Sequence, residues 1–132
     1  MARHCATGKP AAGFSLMELL VVLVLIALLA AVVTPVVTHS IERAKESTLK
    51  ENLFVMRKAI DDYYADRGEY PASLASLVEE KYLRRIPEDP IAETRQWRLV
   101  HAEDNHGGQG GIIDVRSESD KTSRDGTPYN EW

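Results

Sequence analysis

The sequence predicts an α+β fold in which a long, kinked N-terminal helix packs on a small antiparallel sheet and a loop follows at the C-terminus. Three observations lead to this class. Fifteen consecutive residues from Leu19 to Val33 are apolar. An amphipathic helical repeat then continues to Arg67 with no glycine or proline after Pro35. Two later segments, at about 96–102 and 111–116, alternate or run apolar as short strands do.

The composition bounds what this chain can do. Its 132 residues suffice for one domain with a modest core, and 16 basic against 20 acidic side chains give a net charge of −4. A general nucleic-acid surface is excluded, because phosphate binding requires a basic patch. The single cysteine is Cys5. No disulfide can therefore form within the remainder of the chain, whose stability must come from packing or from a metal.

The first helical segment is long enough to cross a membrane. Residues 14–37 span about 36 Å at about 1.5 Å per residue, against a hydrocarbon core of about 30 Å. The basic side chains before it, Arg3 and Lys9, predict a cytoplasmic N-terminus and a periplasmic C-terminal part. Pro35 lies inside the helical pattern and predicts a kink. An ordinary secretory signal peptide is the alternative, but the run exceeds a usual apolar region and Glu18 interrupts its start.

The residues around Glu18 carry a family resemblance. Gly13-Phe14-Ser15-Leu16-Met17-Glu18, with a short basic leader before it and the apolar run after it, resembles the class III signal of type IV pilins and pseudopilins. The resemblance implies a type IV pilin-like fold and a leader, residues 1–13, that prepilin peptidase removes by cutting after Gly13. It also implies N-methylation of Phe14 and retention of the apolar helix as the core of a filament.

The same resemblance gives Glu18 a role. A carboxylate in hydrocarbon is costly unless it is paired. In the family the glutamate is thought to pair with the free N-terminal amine of a neighbouring subunit, here the amine of Phe14. Two such charges about 4 Å apart attract by about 4 kcal/mol at an effective dielectric constant near 20. Pairing within one chain, and a Glu18 side chain that merely reaches the cytoplasmic interface, remain alternatives.

The remaining chain is predicted to form a periplasmic head, residues 38–132. An amphipathic helix at 38–67 ends at Gly68 and Pro71. A short helix follows at about 73–80, with Ser73 as its N-cap. The two strands, at about 96–102 and 111–116, are joined by a flexible glycine-rich hairpin loop at 106–111, and a loop at 117–132 closes the chain.

The order of these elements extends the resemblance to the major pseudopilin of type II secretion systems, the general secretion pathway protein G family. The matching pieces are the sequence GEYP, the Pro-x-Asp-Pro segment at 87–90, the short sheet and an acidic C-terminal loop that ends in tryptophan. Ile91-Ala92 departs from the family, which often has Trp-Gly there. The resemblance implies a non-enzymatic subunit of the inner membrane that assembles into a periplasmic pseudopilus and drives protein export. The implied partners are copies of itself, other pseudopilins, the inner-membrane assembly platform and prepilin peptidase.

The C-terminal loop is the candidate metal site. Asp120 and Asp125 lie five residues apart among hydroxyl side chains, and Ca²⁺ takes six to eight oxygen ligands. In the pseudopilin family this loop binds calcium, which implies side-chain ligands from Asp120 and Asp125 and carbonyl ligands from Ser117 and Ser123. The alternative is that both aspartates are turn residues without a metal. We expect Trp132 to pack back on the sheet and anchor the loop.

Other functions receive less support from the sequence. No phosphate loop, catalytic triad or pair of catalytic acids has structural support, so we predict no enzymatic activity. A minor type IV pilin or a competence pseudopilin would share the N-terminal signal, although long pilins usually close a C-terminal loop with a disulfide. A periplasmic binding domain released by signal peptidase is the remaining alternative.

Overall fold

The computed structural model describes residue 8, residues 12–104 and residues 108–132. It contains helix α1 (Leu16–Arg67), helix α2 (Leu74–Glu79), strands β1 (Arg98–Glu103) and β2 (Gln109–Arg116), and a 3₁₀ turn at Tyr129–Glu131. The chain divides into two compact units whose boundary, between His39 and Ser40, lies within α1. The long helix and the small antiparallel sheet give the α+β, type IV pilin-like fold that the sequence predicts.

The first unit consists of the apolar part of α1. Its leucine, valine and alanine residues favour helix or tolerate it, and they surround the helix on all sides. None of the most apolar stretch is buried by the other residues that the structure describes. By length and composition this helix can cross a membrane. Pro35 lies within it, and the Thr34 hydroxyl donates to the Ala30 carbonyl at 2.7 Å in the preceding turn.

The second unit is built on the amphipathic part of α1. One helical stripe is buried at three- and four-residue steps: Leu49, Leu53, Met56, Ile60 and Tyr63. The helix ends where Gly68 adopts φ 72° and its N–H donates to the Tyr64 carbonyl at 2.8 Å. A left-handed residue after the last turn is the usual glycine stop.

Helix α2 adds two fully or nearly buried leucines, Leu74 and Leu77, to the core. Its N-cap is Ser73, whose hydroxyl accepts from the Ser76 N–H at 3.2 Å, as the sequence predicted. Trp97 lies before β1, and its indole N–H donates to the Pro87 carbonyl at 2.9 Å. This bond ties the proline-rich segment to the start of the sheet.

The sheet is a two-stranded antiparallel ribbon with Leu99 opposite Val115 and His101 opposite Ile112. Its register shifts twice along β1, between Val100 and Glu103. Ile112 and Val115 point into the core and are fully buried. Ala59, Leu83, Trp97 and Tyr129 complete the core with the stripe of α1, the leucines of α2 and the two β2 residues, and Leu99 of β1 packs partly buried against it.

The glycine-rich segment corrects the prediction of a hairpin loop at 106–111. Gln109, Gly110 and Gly111 belong to β2, while residues 106 and 107 lie outside the described residues. The reason is a close approach between two backbone segments of the chain. A Cβ atom on Gly111 would lie 2.5 Å from the Tyr70 carbonyl oxygen, and the next residue donates its N–H to the Pro71 carbonyl at 2.8 Å. The glycines thus admit the neighbouring backbone to the strand instead of supplying flexibility.

Candidate functional site: the N-terminal segment and the C-terminal loop

The N-terminal segment presents the predicted cleavage bond outside the helix. Gly13, Phe14 and Ser15 precede α1, and all three are exposed. A Cβ atom on Gly13 would meet no atom of the described residues within 4 Å. A peptidase needs an accessible bond outside regular secondary structure, and the bond between Gly13 and Phe14 meets that need.

Ser15 sets the start of the helix, two residues later than the predicted start at Phe14. Its hydroxyl accepts from the Glu18 N–H at 3.1 Å, and its carbonyl accepts from the Leu19 N–H at 3.2 Å. Ser15-x-x-Glu18 is the spacing of a capping box, a signal that sequence reasoning missed. The cap fixes where helical structure begins and leaves the Gly13–Phe14 bond outside it.

Glu18 lies in the first turn of α1 and is exposed. A carboxylate at this position interacts favourably with the unpaired N–H groups of a helix N-terminus. Its neighbours are apolar and just as exposed: Phe14 is 75% accessible and Met17 is 73% accessible. Glu18 therefore lies within an apolar surface that the described part of the chain leaves exposed.

The C-terminal loop is folded against α1 through Glu46. The Glu46 carboxylate accepts from the Tyr129 hydroxyl at 2.8 Å and from the Arg124 N–H at 3.2 Å. The hydrogen bond from Tyr129 holds the pKa of Glu46 below its usual value. Burial, aided by the Glu46 charge, raises the pKa of Tyr129 to about 12. One side chain of the helix therefore holds two points of the loop.

Within the loop, short-range bonds define a tight turn. Thr122 pairs with Pro128 in an antiparallel bridge, and the Gly126 N–H donates to the Ser123 carbonyl at 3.0 Å. Gly126 adopts φ 83°, which a residue with a side chain rarely does. The glycine therefore permits the turn that the sequence analysis expected.

Trp132 closes the loop from the other side. Its indole N–H donates to the Thr127 hydroxyl at 3.0 Å, and its ring meets the edge of Tyr129 at 5.0 Å. The Lys50 ammonium lies 4.6 Å from the ring centroid. The tryptophan thus anchors the loop through Tyr129 and through Lys50 of α1. It is also partly buried against the core that contains Ile112 and Val115 of the sheet.

Asp89 is a structural centre that the sequence analysis did not single out. It is fully buried, and one of its carboxylate oxygens accepts from the Ile91 and Ala92 N–H groups at 2.8 and 3.0 Å. Its other oxygen accepts from the hydroxyl of Ser117, which is also fully buried. The Pro-x-Asp-Pro spacing was the available signal. Asp89 joins the loop after α2 to the start of the C-terminal loop.

Comparison with known proteins agrees with these features. The prokaryotic N-terminal methylation motif family matches residues 8–34. A type II secretion system core protein G from Klebsiella pneumoniae is 32% identical over 80% of this chain and 81% of its own length. The chain belongs to the type II secretion system core protein G family. Proteins of the same name from Klebsiella michiganensis and Pectobacterium carotovorum subsp. carotovorum are each 28% identical, over 88% and 95% of this chain and 85% and 83% of their own lengths. No solved structure shows a significant match.

Membership of this family makes the chain a pseudopilin subunit of the type II secretion system. Its relatives are structural secretion pseudopilins, and the apolar helix with its methylation motif fits an inner-membrane anchor. The alternatives of a minor type IV pilin, a competence pseudopilin and a released binding domain lack this support.

The predicted calcium ligands of this pseudopilin have distinct surroundings. Asp120 accepts from the Asn130 amide at 3.0 Å and lies 3.9 Å from the Arg98 guanidinium. Asp125 lines a groove with Trp132. Among the described residues, no group of three or more histidine, cysteine or acidic side chains could hold a metal ion. Asp120 and Asp125 are exposed, whereas Ser117 and Ser123 are buried and the Ser123 carbonyl already accepts from the Gly126 N–H. Carboxylate and carbonyl oxygens are the ligands that Ca²⁺ prefers, and the calcium site stays a prediction.

Proposed function

We propose that this pseudopilin is cut after Gly13, methylated at Phe14 and polymerised into the pseudopilus through its apolar helix. The observation that carries the proposal is the combination of an accessible Gly13–Phe14 bond with an apolar helix that no other described residue covers. An apolar surface of that size must be buried by lipid before assembly and by other helices after it.

The proposed orientation follows from charge. The basic leader stays in the cytoplasm, and the head, from about residue 38, lies in the periplasm. Copies of the chain, other pseudopilins, an inner-membrane assembly platform and prepilin peptidase are the partners. The chain supplies no catalytic chemistry, and the work of extracting it from the membrane comes from elsewhere in the machine.

Glu18 is assigned the task of setting the axial position of an incoming subunit. Its carboxylate pairs with the methylated amine of Phe14 on a neighbouring copy, because each of these charges is costly in an apolar environment unless it is paired. An attraction of about 4 kcal/mol at an effective dielectric constant near 20 is large enough to favour one register over its neighbours.

Two measurements test the proposal. Mass spectrometry of the protein from membranes should give an N-terminus at methylated Phe14, and an N-terminus beyond Ala31 would indicate an ordinary signal peptide instead. Glu18→Val should still be cleaved and remain in the membrane but yield few filaments. Glu51→Val makes the same change on an exposed position of the same helix and serves as the control. Equal filament yields from the two variants would contradict the role of Glu18.

We also propose that the C-terminal loop binds one Ca²⁺ through Asp120 and Asp125, with carbonyl oxygens from Ser117 and Ser123. The ion would add a further fixed point to a loop that Glu46 and Trp132 already hold. The exposure of both carboxylates allows them to turn toward a common ion. Its expected effect is on stability and not on any reaction.

A further inference from the structure

An open groove runs between α1 and the end of the C-terminal loop. It has a volume of about 510 Å³ and is lined by Lys50, Leu53, Phe54, Arg57, Asp125, Thr127 and Trp132. Phe54 is 62% exposed there, on a helix whose opposite stripe forms the core. An exposed aromatic ring beside a tryptophan and two cations is the composition of a contact surface. We call it the Phe54–Trp132 groove.

Basic side chains predominate in the part of α1 before residue 60, and acidic side chains predominate in the end of α1 and the turn after it. From Arg43 to Lys58 the chain carries five basic and two acidic side chains. From Asp61 to Glu69 it carries four acidic and one basic. The groove therefore lies in the basic stretch, and an acidic stretch follows directly after it.

Within the acidic stretch, one face of α1 combines charge with a small side chain. Asp61 and Asp62 precede Ala65 by four and three residues, so the three share one helix face, and all three are exposed. The single methyl group of Ala65 lets another surface approach the helix closely. We call these three residues the acidic face.

We propose that the acidic face of one copy occupies the Phe54–Trp132 groove of the next copy in the filament. This contact rests on the proposed function, because it requires that copies of the chain polymerise. Ala65 packs against Phe54 and Trp132. Asp62, which accepts from the Lys58 ammonium at 2.7 Å within its own chain, shares its carboxylate with Lys50 of the other copy. A single chain cannot make this contact, because the groove and the acidic face follow one another along the same continuous helix. The contact must therefore join two chains.

The two patches are different surfaces, so the interface is heterologous. A heterologous contact that does not close into a ring repeats without limit and generates a helical filament. Ala65 lies eleven positions after Phe54 and Asp62 twelve after Lys50, so parallel helices would be offset by eleven to twelve residues, or about 17 Å. Without an offset, acidic stretches would lie side by side and repel.

Disulfide trapping in filaments tests the contact. The only cysteine, Cys5, precedes the cleavage site, so the processed chain carries none of its own. The double variant Phe54→Cys/Ala65→Cys should form a ladder of dimers, trimers and higher species on oxidation. Each single variant should remain monomeric, because a heterologous contact never brings two copies of one position together. A dimer from either single variant would overturn the proposal.

Two further experiments test the axial register of the contact and the identity of the molecule in the groove. Phe54→Cys/Ser47→Cys places the second cysteine on an exposed position of the same helix, below the groove instead of above it, and should give no ladder. A ladder from this pair instead would overturn the charge argument. A photo-crosslinking amino acid at position 54 should give an adduct with the tryptic peptide 59–67 of a second copy. An adduct with an unlike protein would replace the second copy as the occupant and overturn the proposal.

A charge exchange completes the test. Lys50→Glu and Asp62→Lys should each reduce trapping about fivefold, the ratio expected for one surface ion pair, and the double exchange should restore it. Processing at Gly13 and filament yield are measured in the same samples. Normal filaments without a ladder would refute this contact alone, whereas absent processing would refute the proposed function.

Discussion

The bond between Glu46 and Tyr129 should carry a measurable share of the stability of the head. Tyr129→Phe removes the hydroxyl and keeps the ring that packs on Trp132. A hydrogen bond to a charged group contributes about 1.5–3 kcal/mol. Glu46 is half-buried and still accepts from the Arg124 N–H at 3.2 Å, so water and that donor replace part of the hydrogen bonding that Tyr129→Phe removes. We therefore expect a loss of about 1–2 kcal/mol in the free energy of unfolding.

The pH dependence gives this prediction a specific signature. The pKa of Glu46 is lowered from 4.5 by folding, so its contribution is present above about pH 4.5 and disappears as the pH falls through the folded pKa. The pKa of Tyr129 is raised from 10.0 to about 12, so its contribution is present below pH 10 and is lost toward pH 12. The difference between wild type and Tyr129→Phe should therefore be largest between about pH 5 and 10.

Urea unfolding of the processed chain in detergent micelles, followed by tryptophan fluorescence, measures these free energies. Glu46→Gln and the double variant complete a thermodynamic cycle that isolates the pair. Tyr64→Phe is the control, because its exposed ring stacks on Tyr70 away from Glu46. A Tyr129→Phe value equal to that of the control, or a difference that does not vary with pH, would refute the reasoning.

Three further predictions concern the head. Asp89→Ala leaves the Ile91 N–H and the Ser117 hydroxyl without their acceptor and should cost about 3–5 kcal/mol in urea unfolding; a cost below about 1 kcal/mol would show that water replaces the carboxylate. Gly111→Ala forces a Cβ atom to 2.5 Å from a carbonyl oxygen and should cost about 1–3 kcal/mol, whereas Gly108→Ala, with its nearest atom at 3.6 Å, should be nearly neutral. A calcium chelator should lower the melting temperature of wild type but not of Asp125→Asn, and equal responses would argue against the calcium site.

Sequence alone was sufficient for the features that depend on local composition. The apolar run, the Gly13-Phe14 signal, the stop at Gly68 and the cap at Ser73 each follow from a pattern within a few residues, because helix formation and membrane insertion are governed by neighbours in the chain. Ser15 belonged to this class too, since its spacing to Glu18 is visible in the sequence.

Tertiary structure decided the features that join distant residues. Gly110 and Gly111 resembled a flexible loop until the backbone of Ala102 was placed against the first and that of Tyr70 against the second. Asp89 was only one position of the Pro-x-Asp-Pro segment until Ser117, 28 positions later, was brought to its carboxylate. Glu46 was one charge among many on a helix until Tyr129 reached it across 83 positions. A buried hydrogen bond or a close backbone contact depends on which distant segments of the chain meet, and the local pattern of the sequence does not contain that information.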